Sequence, residues 1–284
     1  MKQFLSPAEL SESFIGFGKT KASLPAGRMV GLGILAGIFI GLAAHLATTV
    51  ATGWMIAGEP ALFGLKKFLT GAVFSTGLMM VIIPGSELFT GNNLMTIALC
   101  SREIRVGSLL RNWALVYLAN LAGSLVLAYT IAWGTGLLAG EVGGTAIRIA
   151  WSKVALLPGG LSHWTAFFFR GIWCNFLVCI AVMMAVAAQD IGGKIAAVFF
   201  PIMAFVSSGF EHVVANMYFI PAGIIAAQFP GAVEASGLDA EQLTDLSWSA
   251  MINANFVPVT LGNIIGGAVL VGVLYWALFV RSSS

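Results

Sequence analysis

Ser207-Ser-Gly-Phe-Glu-His-Val-Val-Ala-Asn-Met-Tyr-Phe-Ile-Pro221 is the stretch on which the reading of this chain turns. It sets Glu211 and His212 side by side inside an apolar run from about Ile195 to Ala227. A bilayer core takes roughly 20 helical residues, so the run is too long for one upright crossing. Ionisable groups at mid-membrane are expensive, and a functional role is their default explanation. A second run, about Phe68 to Leu99, has the same anatomy around Pro84-Gly-Ser-Glu-Leu-Phe-Thr-Gly-Asn-Asn93. Two over-long apolar segments, each interrupted by Gly and polar residues, are the mark of broken helices around a transport site.

Composition agrees with a membrane fold. Of 284 residues, 58% are hydrophobic and 9% charged, where soluble domains carry roughly 25% charged residues. The expectation is an all-α membrane protein with six crossings: about Met29–Ala51, the interrupted run ending near Leu99, Leu109–Leu138, Trp164–Ala188, the interrupted run around His212, and Phe256–Val280. Residues 1–28 form a separate cytoplasmic element, residues 29–281 the transmembrane domain and residues 282–284 a tail. At the N-terminus, Ser6, Pro7 and Glu9 spell a capping box with Pro at the first helical position. Leu10, Phe14 and Phe17 then share a stripe, so this short helix is expected on the membrane face or against a neighbouring subunit. Cys100, Cys174 and Cys179 read as small buried hydrophobes.

Lys and Arg set the orientation. With the N-terminus inside, nine fall inside (Lys2, Lys19, Lys21, Arg28, Arg102, Arg105, Arg111, Lys194, Arg281) and five outside (Lys66, Lys67, Arg148, Lys153, Arg170). The 228–250 loop would then be outside; it carries Glu234, Asp239, Glu241 and Asp245 and no Lys or Arg. Both termini are therefore placed in the cytoplasm.

The halves repeat. Glu87 precedes Asn92 as Glu211 precedes Asn216; Asn120-Leu-Ala-Gly123 parallels Asn263-Ile-Ile-Gly266; Gly37-Ile-Phe parallels Gly171-Ile-Trp. Three crossings per half invert the second half, giving an inverted 3+3 repeat with its site between the halves. Each break exposes helix-start N–H groups suited to an anion, near Thr90–Asn92 and Glu211–Val213. His212 suits proton exchange near neutral pH, and Thr90 offers a hydroxyl from the other break. Glu87 and Glu211 are expected to accept backbone N–H bonds and stabilise the breaks. Asn175 and Asn263, in mid-helix, can bond the non-helical backbone there. Phe74, Leu78, Leu88 and Phe205 fit either plain packing or apolar constrictions around His212. His45 reads as a helix-contact residue and His163 as interfacial.

With these motifs in place the chain resembles the formate/nitrite transporter family. The matching stretches are Gly85-Ser-Glu-Leu-Phe-Thr-Gly-Asn92, Arg170-Gly-Ile-Trp-Cys-Asn-Phe-Leu-Val-Cys179, Ser208-Gly-Phe-Glu-His-Val-Val-Ala-Asn-Met217 and Pro258-Val-Thr-Leu-Gly-Asn-Ile-Ile-Gly-Gly267. The resemblance implies an aquaporin-like fold, a pore in each protomer and a homopentamer in a prokaryotic inner membrane. It implies that Thr90 belongs to a mobile loop, that His212 exchanges protons, and that Asn175 and Asn263 hold the loop. It assigns Phe74 and Phe205 to an outer constriction and Leu78 and Leu88 to an apolar slit. Lys153 is the candidate for the family's anion-drawing lysine, although Leu156–Ser162 lengthens the gap before the fourth crossing.

The implied cargo is a small monovalent anion, formate first, with nitrite or hydrosulfide as alternatives. Protons and lipid are the other expected partners; nucleic acid, a cofactor, a metal and enzymatic activity are not expected. An unpaired charge in the apolar core is costly, and a neutral acid avoids most of that cost. In water a carboxylate is a poor base towards imidazolium, and loss of water narrows the gap. Passive conduction of the intact anion is the alternative. A water channel would need paired Asn-Pro-Ala motifs, absent here, and Ser162-His163 is a poor match to a hydrolase pair.

Overall fold

The computed structural model describes residues 4–56, 59–60, 62–155 and 163–281. Lys2, the Leu156–Ser162 stretch with its Ser162, and the 282–284 tail lie outside the described residues.

The chain is helical almost throughout, apart from a short antiparallel pairing of Met55–Ile56 with Glu59–Pro60. Among the described residues six helices are long and apolar enough to cross a membrane: Ala26–Val50 (α2), Phe63–Ile82 (α3), Val106–Gly134 (its α-helical part, Val106–Tyr129, is α5), His163–Ala187 (α7), Ile191–Ser208 (α8) and the final helix, Trp248–Val280. Between them lie Thr96–Cys100 (α4), Glu141–Ser152 (α6), Val213–Ala226 (α9) and Pro230–Ser236 (α10). The second crossing begins at Phe63, five residues before the expected start. The last begins at Trp248, because the Ser247 hydroxyl caps the Ala250 N–H and starts the helix early.

The N-terminal helix, Pro7–Ser23 (α1), starts at a closed capping box: Ser6 takes the Glu9 N–H and the Glu9 carboxylate takes the Ser6 N–H. One of its faces packs against the rest of the chain. Leu10 and Phe14 are buried with Leu94 and Ile97, and Gly18 lies directly against Ala98 of α4. Phe17 stands beside Phe14, ring centres 5.7 Å apart, and is 44% exposed, while Gly18 lies against α4 where a Cβ would not fit.

Packing rests on close backbone approach. α2 crosses α5 where a Cβ on Gly37 would meet the Asn120 carbonyl oxygen at 2.1 Å. α7 crosses the final helix where a Cβ on Gly266 would meet the Ile172 oxygen at the same 2.1 Å. Small residues at helix crossings are how membrane helices gain van der Waals contact, since lipid supplies no hydrophobic drive between them. The outer surface is apolar, with Leu118, Val126, Phe200 and Leu278 exposed by 58–63%. The polar side chains Asn112, Asn120, Asn175, Asn255 and Asn263 are instead wholly buried.

Candidate functional site

Two helices stop short and the chain restarts after each. α3 ends at Ile82; Pro84 follows, Gly85 takes a left-handed backbone (φ 92°), and Ser86 N–H closes onto the Val81 carbonyl. Helical winding resumes at Gly91 and leads into α4. α8 ends at Gly209 (φ 78°), where the Gly209 and Phe210 N–H groups fold back onto Val206 and Phe205. That is a glycine-terminated helix end, which satisfies carbonyls that would otherwise be orphaned. α9 restarts at Val213 with His212 as its cap.

The two interruptions are held by matching sets of side chains. After the first, Asn120 accepts from the Phe89 N–H (3.0 Å) and donates to the carbonyls of Glu87 (2.9 Å) and Gly33 (2.8 Å). After the second, Asn263 accepts from Val213 N–H (2.9 Å) and donates to Glu211 (2.9 Å) and Gly171 (2.8 Å). Glu87 receives the Lys21 ammonium (2.5 Å) and the Asn92 amide (2.7 Å). Glu211 receives Lys153 through both oxygens (3.0 and 2.9 Å) and the Asn216 amide (2.7 Å). Asn92 also bonds Asn112, which donates to the Lys21 carbonyl; Asn216 bonds Asn255, which donates to the Lys153 carbonyl.

This corrects the expected role of the two glutamates. Among the described residues their side chains take a lysine and an asparagine amide and no backbone N–H. The reason is burial: a carboxylate 7% exposed, as both side chains are, needs a full counter-charge, which backbone N–H groups do not carry. Lys153 closes down onto Glu211. Lys21, Asn112, Asn120 and Asn255 were not among the expected site residues. The asparagines carried a signal, since 112 to 120 and 255 to 263 are both steps of eight residues. Lys21 carried none, being 66 residues from its partner.

His212 and Thr90 meet between the interruptions. Thr90 Oγ1 lies 2.8 Å from His212 Nε2, and both residues are buried. His212 Nδ1 accepts the Ala215 N–H at 3.1 Å. With Nδ1 an acceptor, the ring's proton sits on Nε2 and is donated to Thr90 Oγ1. The imidazole is thus neutral in this arrangement, and the same ring caps α9. The Thr90 carbonyl is held by the Asn175 amide (3.3 Å) and approached by the Cys179 thiol (3.5 Å). Asn175 also reaches Asn93 and the Asn263 carbonyl. His45, by contrast, meets Tyr218 between helices at 3.0 Å, and His163 stands at the start of α7 against Phe167.

Three cavities share walls. A vestibule of about 530 Å³ is lined by Lys67, Lys153, Arg170, Glu211 and His212 and floored by Phe74 and Phe205. A second, of about 310 Å³, is lined by Lys21, Asn92 and Lys194 and reaches Leu78 and Leu88. Between them a space of about 10 Å³ is enclosed by Phe74, Leu78, Leu88, Phe205, Ile202 and His212. All four expected apolar residues are 2–3% exposed and all line that space. Phe74 and Phe205 meet edge to face at 5.8 Å, and Phe205 lies 5.9 Å from the His212 ring.

The formate/nitrite transporter family profile matches residues 8–277. Among curated proteins, a probable formate transporter of Methanothermobacter thermautotrophicus is 40% identical, covering 98% of each chain. The formate channel FocA of Haemophilus influenzae is 38% identical over 95% of this chain and 93% of its own. Among solved structures, a pentameric formate channel with formate bound superimposes with a TM-score of 0.77 at 34% identity, covering 89% of this chain and 97% of that one. An ion channel of the same family gives 0.78 at 27% identity, covering 95% and 98%. A profile match over nearly the whole length, with relatives of this identity, settles membership: the chain belongs to the formate/nitrite transporter family.

Proposed function

We propose that the chain forms a membrane channel for a small monovalent anion, formate first, in which His212 exchanges a proton so that the neutral acid crosses the apolar walls. One observation carries this reading: a single titratable ring lies between two polar vestibules, hydrogen-bonded to Thr90, with Phe and Leu side chains closing the space on both sides. Such walls reject a hydrated ion and admit a neutral molecule. An imidazolium ring gives its Nε2 proton to the anion, and the acid passes as a neutral species. A proton from the bulk then returns to the ring, relayed by water or by the Thr90 hydroxyl, which takes up one proton as it passes one on. To become imidazolium the ring must protonate Nδ1, which gives up the Ala215 bond and loosens the start of α9. The 10 Å³ space holds at most about one water, so the Thr90 side must swing aside for cargo to pass.

The matching asparagine and glutamate sets support an inverted repeat built on two broken helices, with the site between the halves. The pentameric relative supports a homopentamer, and the row of cavities inside a single chain supports a pore in each protomer. The Lys and Arg distribution supports cytoplasmic placement of both termini, and the bacterial formate-channel relative supports a prokaryotic inner-membrane location. In proteoliposomes, labelled formate uptake is expected to speed up as the pH on the donor side falls, and His212→Phe is expected to abolish that dependence. Uptake that keeps its pH profile in the variant ends the proton-exchange reading; nitrite or hydrosulfide outpacing formate changes the cargo.

A second reading is favoured by the Ala215 bond, which holds the ring neutral. In it the intact anion passes and His212 only sets polarity. A current in a planar bilayer that scales with formate concentration, with no accompanying proton movement, would select this reading.

A further inference from the structure

We propose that Lys67 and Arg170, rather than Lys153, collect the anion at the larger vestibule. The inference rests on the anion-transport reading above and assigns its capture step. Three cations and one carboxylate line this cavity: Lys67, Lys153 and Arg170 against Glu211. Lys153 is spent on Glu211, gripping both carboxylate oxygens with its side chain only 13% exposed. Its ammonium is engaged at 2.9–3.0 Å by that carboxylate, so it is less free to take an incoming anion than an unpaired cation.

Lys67 and Arg170 enter no ion pair among the described residues. Each lies over an aromatic face instead: Lys67 Nζ is 5.7 Å from the Phe63 ring centre and Arg170 Cζ is 5.5 Å from that of Phe167. A ring face holds a cation in place without cancelling its charge. The wall thus keeps two uncancelled positive charges, in a cleft with apolar surroundings that focus their field. Lys67 stands on α3 and Arg170 on α7, so the charges come from both halves of the chain. The Arg170 carbonyl also accepts the Glu211 N–H at 3.2 Å, which ties this station to the wall of the second interruption.

The test compares Lys67→Gln/Arg170→Gln with the charge-conserving Lys67→Arg/Arg170→Lys in sealed vesicles of both orientations, using labelled formate and nitrite. At about 10 mM ionic strength the neutral variant is expected to need about tenfold more anion for half-saturation from the Lys67 side, with an unchanged maximal rate. At about 1 M salt, where the screening length is about 3 Å, the difference is expected to shrink below about twofold. From the opposite side no change is expected, and the charge-conserving variant is expected to match the wild type. Half-saturation indifferent to the two charges at low salt overturns the inference. So does a defect that persists in high salt and in the charge-conserving variant. Wild-type protein that moves neither anion overturns the transport reading itself, a result distinct from either.

Discussion

Asn263→Leu removes one side chain and three buried hydrogen bonds, to Val213 N–H, Glu211 O and Gly171 O. Leucine is close in shape, so little cavity is created and the loss is mainly polar. Buried side-chain bonds within membrane proteins average about 0.6 kcal/mol each, which puts the lower bound near 2 kcal/mol. Val213 N–H is among the first donors of α9, which have no partner within their own helix. Leaving it dry adds about 1–3 kcal/mol, so the expected destabilisation is about 2–5 kcal/mol. Equilibrium unfolding in mixed detergent measures it. Asn120→Leu, which breaks the equivalent bonds to Phe89, Glu87 and Gly33, is expected to fall in the same range. A loss below about 0.5 kcal/mol in either variant would refute the view that these amides anchor the interruptions.

Thr90→Val keeps the shape and deletes the hydroxyl facing His212; formate flux is expected to fall about tenfold, the equivalent of one lost hydrogen bond of about 1.4 kcal/mol, in a proteoliposome assay. Lys21→Met leaves the buried Glu87 carboxylate without its cation and should lower unfolding stability by about 3 kcal/mol; adding Glu87→Gln should recover most of it. Gly266→Ala drives a Cβ into the Ile172 carbonyl and should cost about 1–3 kcal/mol, seen as a lower unfolding midpoint.

Local chemistry made much of the architecture legible. The capping box at Ser6 and Glu9 needs only three residues to be recognised, and the structure closes it. Apolar runs gave the six long helices, because a chain that must span hydrocarbon writes its crossings in composition. Their ends were less clear: nothing apolar announced that Ser247 starts the final helix. The partners of Glu87 and Glu211 were hidden for another reason. Lys21 and Lys153 lie 66 and 58 residues away, and a contact over that distance is decided by how the helices pack. The placement of α1 against α4 was likewise settled by Gly18 meeting Ala98, a fit that no periodicity reports. Both acceptor atoms of the site, Nδ1 of His212 and the Thr90 carbonyl, depend on backbone geometry that the sequence does not display.

The narrow space beside His212 has a bearing on the energy economy of the cell. Protons travel fastest along an unbroken file of water, and a chamber with room for about one molecule cannot house such a file. On the proposed transport reading, a chamber this tight would leave the electrochemical gradient across the membrane intact between transport events.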